Sequence, residues 1–294
     1  MINGNDKEKL GTIGLFLTAL IWGYSFVAVK VVVTEIDPFY LVGFRNFFGG
    51  IFLFLIFFKT TKTINKQDII LSIPIGIALF LGFFLQTISA KFITASKVAF
   101  FTSSYVILLP FFAWIIYKKK PHIAVFIAAF MALIGLYLLT SGDGITNIKV
   151  GDLFAISCAV AFAIHLMLID KIILKVNGIK MASLQLLVAG TISLSLGFIT
   201  RTPLNISKIS NGTIYSLLYL AIGATAIAYL LQTVSQKYVS PHKTGIILSL
   251  ESFLGALCGI IFMQDPLNFK VITGGLLIIV AIFICELGGR DAKN

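Results

Sequence analysis

The chain has 294 residues, 58% of them hydrophobic and only 12% charged, against roughly 45–50% apolar and 25% charged in a soluble domain. A single core stops growing at roughly 250–300 residues, so this much apolar surface cannot all be withdrawn from water; a soluble enzyme, a nucleic-acid binder and a disordered chain are poor readings. The formal net charge of +11 then reads as lysines in the loops of a membrane protein rather than as a nucleic-acid footprint.

A helix needs about 20 apolar residues to cross a hydrocarbon core of roughly 30 Å. In chain order the sequence predicts ten such spans. The first, Gly11 to Val31, carries Trp22, Tyr24 and Ser25; it is too long for a signal-peptide core and has no small-residue cleavage site after it. Pro38 to Phe58 holds Arg45, Asp68 to Ala90 holds Pro74 and Gln86-Thr87, and Val98 to Tyr117 holds Tyr105 and Pro110. Local unwinding is expected at both prolines. Pro121 to Thr140 is wholly apolar. Gly151 to Leu174 contains Cys158 and His165, Lys180 to Thr200 contains Gln185, and Thr213 to Gln236 contains Tyr229 and Gln232-Thr233. Lys243 to Met263 carries Ser249, Glu251 and Cys258, and Phe269 to Gly288 carries Cys285. Short loops leave no room for a soluble domain, and the apolar runs lack the alternation of barrel strands. The fold class is therefore an all-α integral membrane protein. The three cysteines have no partner at metal-ligand spacing, so inert buried thiols, no metal and no cofactor are expected.

With the N-terminus placed inside, 15 Lys and Arg fall on the inner side, 7 on the outer, and Arg45 within a span. The positive-inside rule then predicts a multi-pass protein of the cytoplasmic membrane with both termini cytoplasmic.

Residues 84–104, FLQTISAKFITASKVAFFTSS, match residues 230–250, LLQTVSQKYVSPHKTGIILSL, at seven of 21 positions with an offset of 146. An offset of 140 pairs Ala19 with Ala159 and Gly50 with Gly190. The sequence thus reads as one five-helix unit written twice, over residues 1–145 and 146–294. Five is odd, so the second copy crosses the membrane in the opposite sense. Inverted repeats of this kind point to secondary transporters, with a substrate site between the halves.

The ordered motifs Trp22-Gly23, Asp37-Pro38 with Arg45, Leu85-Gln86-Thr87, Tyr105 with Leu109-Pro110, Gly151-Asp152-Leu153, Ala163-Ile164-His165 and Glu251 give the chain its family likeness. It resembles the EamA-type ten-helix branch of the drug/metabolite transporter superfamily across essentially its whole length. Two departures are Glu251-Ser252, where relatives often have Glu-Pro, and Gln264-Asp265-Pro266, where many have Gly-Glu. The resemblance implies a carrier of small metabolites, exporting or exchanging them through a cavity between two four-helix groups, without naming one substrate.

Ionisable groups inside a bilayer cost about 2.5–3.5 kcal/mol on insertion scales and usually face a cavity or a partner. Glu251 is the candidate for proton or cation coupling, with pairing to His165 or to helix-eight groups as its structural alternative. Arg45 either receives an anionic substrate group on its fork, or clamps helix ends and carbonyls near the outer face or snorkels there; an intimate Arg45–Glu251 pair is disfavoured by their different depths. His165, aligned with Ser25 in the repeat register as Arg45 is with Gln185, is a proton relay, a substrate hydrogen-bonder or simply an interior residue. Gln86, Thr87, Gln232, Ser249 and the aromatic groups Trp22, Tyr24, Tyr105 and Tyr229 complete the expected cavity lining. The glycine pairs Gly49-Gly50 and Gly274-Gly275 are expected to allow close helix packing rather than phosphate binding. The leading expectation is alternating-access transport of a small metabolite such as an amino acid by a monomer or weak homodimer. Alternatives are an intramembrane acyltransferase built on His165 and a lipid-carrier flippase.

Overall fold

The computed structural model describes residues 4–139, 150–204, 209–263 and 269–291; among them every regular element is helical. The loop carrying the expected repeat boundary at 145/146, Lys149, Lys208 and Gln264-Asp265-Pro266 lie outside the described residues. The first half comprises α1 (Gly4–Val32), α2 (Pro38–Ile56, with one further turn Phe58–Thr61), α3 (Lys66–Phe92), α4 (Ala95–Ser103 and Tyr105–Tyr117) and α5 (Ile123–Leu139). The second half comprises α6 (Val150–Ile172), α7 (Gly178–Ile199), α8 (Asn211–Ser235), α9 (Pro241–Leu248 and Leu250–Met263) and α10 (Phe269–Asp291). Seven of these, α1 to α4 and α6 to α8, are long and apolar enough to cross a membrane. Ile123–Leu139 of α5 and Phe269–Cys285 of α10 are also apolar, and α4 and α9 are interrupted at Ser104 and Ser249.

The outer surface is apolar. Phe198 is 82% exposed, Phe269 78% and Leu174 77%, exposures that lipid tolerates and water does not. Polar groups instead mark the helix starts. Asp37 caps α2 through the Phe39 N–H, and its repeat equivalent Asn177 caps α7 through the Ile179 N–H, both at 3.0 Å or less. Asn65 and Asp68 form a reciprocal capping box at the start of α3.

Helix neighbours obey a pseudo-twofold relation. α2 packs on α7 and α5 on α10, each on its own counterpart; α3 packs on α6 as α8 does on α1, and α4 packs on α6 as α9 does on α1. Glycines set these crossings. A Cβ on Gly50 would lie 2.8 Å from Leu187, and one on Gly190 would lie 2.4 Å from the Phe47 nitrogen; an offset of 140 converts one contact into the other. At the α5–α10 crossing, Gly135 and Gly274 each face the other's carbonyl oxygen, 2.6 Å from where a Cβ would sit. Gly49 against Ala221 and Gly275 against the Phe253 ring serve the same purpose. Close packing is thus what the glycine pairs provide.

The two ends of the bundle close in the same way. Gly11 of α1 lies against the Ser235 carbonyl, Tyr238 and Val239, while Gly151 of α6 lies against the Ser89 carbonyl, Phe92 and Ile93. Offsets of 140 and 146 again interconvert these sets.

The proline expectation is corrected. α3 runs through Pro74 without a break, and Tyr105–Tyr117 runs through Pro110. Proline's fixed φ is itself helical, and packed neighbours hold the backbone in place. The interruptions fall at serines instead. Ser104 Oγ donates to the Phe101 carbonyl at 2.6 Å and Ser249 Oγ to the Ile246 carbonyl at 2.7 Å, the same three-residue back-bond one residue out of the 146 register. Ser25 makes this bond to Trp22 at 2.7 Å inside unbroken α1, so the bond accompanies the two breaks without being enough to make one. A third irregularity, the π-helical stretch Tyr219–Ile227 in the middle of α8, gave no sequence signal.

Candidate functional site

α1, α2, α3, α4, α6, α8 and α9 each send side chains into a central cavity with about 30 Å³ of room. A water needs roughly 10–15 Å³ on this measure, so the space holds about two waters. Any metabolite must move side chains to enter. The lining contains Trp22, Ser25, Arg45, Gln86, Tyr105, His165, Tyr229, Gln232 and Glu251 from the sequence expectation, together with Phe26, Phe83, Thr102, Phe162, Leu166 and Leu248.

Arg45 is 1% exposed. Its Nε donates to Thr225 Oγ1 at 2.9 Å, and its guanidinium carbon sits 4.1 Å from the centre of the Phe83 ring. Thr225 belongs to the π-helical stretch of α8, so that irregular turn supplies the group that orients the guanidinium. Among the described residues no carboxylate pairs with Arg45. It neither snorkels nor clamps a helix end; it is a buried cation facing the cavity.

Glu251 opens the second half of α9, directly after the break at Ser249. Its Oε1 accepts from Ser103 Oγ at 3.0 Å, and Ser103 Oγ lies 2.8 Å from Ser252 Oγ. Ser252 also donates to the Ala99 carbonyl at 3.1 Å. The structural alternative of a His165 or helix-eight partner is therefore corrected: the carboxylate is held by the end of the first half of α4. Reach decides it, because the two broken helices meet at their breaks. Ser103 and Ser252 were missed by sequence reasoning; the signal was the Ser252 that stands where relatives often have proline.

His165 Nε2 lies 2.7 Å from Gln185 Oε1, and Gln185 Nε2 donates to Thr233 Oγ1 at 2.8 Å. Gln185 thus positions His165 from α7 instead of lining the cavity. Three other expected residues also fall outside the lining. Tyr24 packs edge-on against Tyr219, with centroids 5.2 Å apart. It lies one residue from Ser25, which is 100° around the helix, whereas Trp22 and Ser25 share a face. Thr87 is displaced from Gln86 by the same rotation and is fully buried. Ser249 is spent on the helix break.

Aromatic rings form a continuous wall. Tyr229 lies 5.0 Å from Trp22, 5.5 Å from Phe83 and 5.8 Å from His165, centroid to centroid, and Phe83 meets Phe162 edge-on at 5.7 Å. The Trp22 indole N–H is held by the Ala224 carbonyl at 2.7 Å, again from the π-helical stretch. Gln86 Nε2 donates to Thr102 Oγ1 at 3.3 Å. Two polar atoms in the wall, Tyr105 Oη and Gln232 Oε1, are buried with no hydrogen-bond partner among the described residues. An unmade buried hydrogen bond costs about 1–3 kcal/mol, so these atoms favour an occupant that completes them.

Residues 9–141 and 149–286 each match the EamA-like transporter family. An uncharacterized transporter of Archaeoglobus fulgidus is 30% identical over 281 residues, covering 96% of this chain and 87% of its own length. The uncharacterized transporter YoaV of Bacillus subtilis is 25% identical, covering 92% and 95%. A crystal structure of a protein 17% identical to the chain superposes with a TM-score of 0.78, covering 97% of this chain and 99% of that one. At that identity the likeness is one of fold.

Proposed function

The chain belongs to the EamA-like transporter family and is a multi-pass membrane transporter; from that premise we propose that it carries a small zwitterionic metabolite, such as an amino acid, across the cytoplasmic membrane by alternating access. The observation that carries this reading is the charge arrangement of the cavity. A buried guanidinium without a carboxylate partner shares one small space with a carboxylate and with two unpartnered polar atoms. Arg45 receives the substrate carboxylate on its terminal nitrogens, since Nε is taken by Thr225. The substrate ammonium donates to Gln232 Oε1 and the Glu251 side, and an apolar side chain lies against the aromatic wall.

In this reading Glu251 is the coupling residue, exchanging its proton or cation against substrate. The twin closures at Gly11 and Gly151 are the inner and outer gates, and opening one at a time exposes the site to each face. Both termini lie in the cytoplasm, as the 15-to-7 division of basic residues favours, and the direction is export or exchange.

A thermal-shift screen of purified protein against amino acids, nucleosides and cationic drugs tests the substrate class, because a ligand at 100 times its Kd stabilises by about 2.7 kcal/mol. Amino acids are expected to raise the melting temperature of the wild type and not of Arg45→Gln. Stabilisation by cationic drugs alone overturns the zwitterion reading. Everted vesicles then test coupling: uptake of the labelled ligand is expected to be lost in Glu251→Gln, and uptake at the wild-type rate removes Glu251 from that role.

A further inference from the structure

Five lysines gather where α4 and α6 end on the same side of the bundle. Lys118, Lys119 and Lys120 follow α4 without interruption, and Lys171 and Lys175 close α6 and the turn after it; all five are exposed. The two ends are tied together, because α4 packs on α6 and Tyr117 Oη donates to Asp170 Oδ2. Lys118 takes a left-handed conformation, φ 57°, which turns the lysine run back over the helix it follows. Lys120 completes that turn by placing its ammonium 5.5 Å from the centre of the Trp114 ring.

These lysines differ from others in the chain. Lys91, Lys180 and Lys243 are each ion-paired, to Asp37, Asp68 and Glu8. Among the described residues none of the five at this corner makes an ion pair, and Asp170 is engaged by Tyr117. Clustered like charge is self-repelling, so the corner favours an anion from outside. The aromatic groups fix the depth of that anion. Trp114 and Tyr117 are 41% and 42% exposed at the end of an apolar helix whose Ile115 is 63% exposed, which is the setting of an interfacial aromatic belt. A ligand here meets hydrocarbon below the rings and ammonium groups above them.

We propose that the Lys118–Lys120 run, with Lys171, Lys175 and Trp114, is a binding surface for anionic phospholipid, the headgroup phosphate held by the lysines and the acyl chains lying along α4. Each juxtamembrane basic residue strengthens attachment to an anionic bilayer by about fivefold, so three contribute roughly a hundredfold.

The test uses the full-length protein in phosphatidylcholine vesicles, with the tryptophan emission of exposed Trp114 quenched by dibrominated phosphatidylglycerol added in steps. Wild type is expected to reach half-quenching at a lower anionic fraction than the triple variant Lys118→Gln, Lys119→Gln, Lys120→Gln, by tenfold or more. The pair Lys171→Gln, Lys175→Gln is expected to fall between them. A control triple at Lys59, Lys62 and Lys66, exposed lysines between the last turn of α2 and the first residue of α3, is expected to follow the wild type. Equal curves for wild type and the Lys118–Lys120 variant overturn the proposal, as does an equal loss in the control, which would mark a general charge effect. Inorganic phosphate added at millimolar concentration is expected to leave the curve unmoved, and displacement of the lipid by phosphate overturns the lipid assignment. The measurement involves no transported substrate, so its result is independent of the zwitterion reading.

Discussion

Gly190→Ala is the sharpest probe of the inverted-repeat packing. Helix propensity alone favours the change, since alanine gains roughly 0.5–1 kcal/mol over glycine in a helix interior. The crossing of α2 and α7 opposes it. The new Cβ would sit 2.4 Å from the Phe47 nitrogen and 2.7 Å from its Cα, about 1 Å inside ordinary van der Waals contact. Both atoms are backbone, so no rotamer relieves the clash and the helices must part. Overpacking of this kind costs typically about 1–3 kcal/mol, and parting the helices also strains neighbouring contacts such as the Ser183 hydroxyl on the Gly50 carbonyl, 3.1 Å. The difference spans about 0–2.5 kcal/mol; with two backbone contacts under 3.0 Å the cost lies at the upper end, for a net loss of about 2 kcal/mol and a melting point lower by roughly 4–8 °C. Gly212→Ala supplies the contrast. Its Cβ would meet only Ser210 Oγ at 3.8 Å, so propensity acts alone and stability holds or rises. Thermal unfolding in detergent, followed by loss of the monodisperse peak, measures both. A Gly190→Ala protein as stable as wild type would refute the close crossing, and with it the pseudo-twofold placement of α2 on α7.

Arg45→Lys keeps the charge but loses the fork and the Thr225 bond, so ligand binding is expected to weaken by roughly tenfold or more, with Arg45→Gln weaker still, since bonds to charged groups are worth about 1.5–3 kcal/mol; titration calorimetry with the ligand from the screen measures it, and equal affinity in Arg45→Gln refutes the carboxylate role. Glu8→Lys breaks the partly exposed 3.2 Å pair with Lys243, close in sequence to the Gly11 contact; at up to about 1 kcal/mol, labelling of a cysteine introduced at Ser25 from the N-terminal side of α1 should rise at most about fivefold, and the swap Glu8→Lys with Lys243→Glu should reverse it. Glu35, in the loop after α1, accepts the Ser210 N–H at 2.8 Å, and bonds from Ser210 lower its pKa from the ordinary carboxylate value. A depressed carboxylate pKa contributes stability above the unfolded value and loses it as pH falls through the folded one. Protection of the Ser210 amide against deuterium exchange should therefore persist at pH 7, fall below about pH 4.5, and be low at both in Glu35→Gln; pH-independent protection in the wild type contradicts this.

Much of the architecture was legible because it depends on one-dimensional quantities. Span length and loop charge need no knowledge of neighbours, and the repeat shows in shared polar residues such as Gln86-Thr87 and Gln232-Thr233. Chain order therefore gave the helices, except that the fourth and the ninth are each broken. The site was legible in part for the same reason: an ionisable residue in an apolar run stands out whatever surrounds it, and Arg45, His165 and Glu251 do line one cavity. Its finer assignment was not legible. Whether Gln86 or Thr87 faces inward is a matter of 100° of helix rotation, set by which neighbour each helix packs against.

The sequence by itself thus determined that lipid is the solvent, that the chain is a doubled five-helix unit, and which few polar residues needed partners. Tertiary structure decided who those partners are. Arg45 meets Thr225 because a π-helical stretch of α8 turns that hydroxyl toward α2. Glu251 meets Ser103 and not His165 because the interrupted helices α4 and α9 pack with their breaks side by side. Hydropathy is a property of each residue alone, whereas a hydrogen bond between helices depends on the relative rotation and depth of two elements. Those are fixed only when all ten pack.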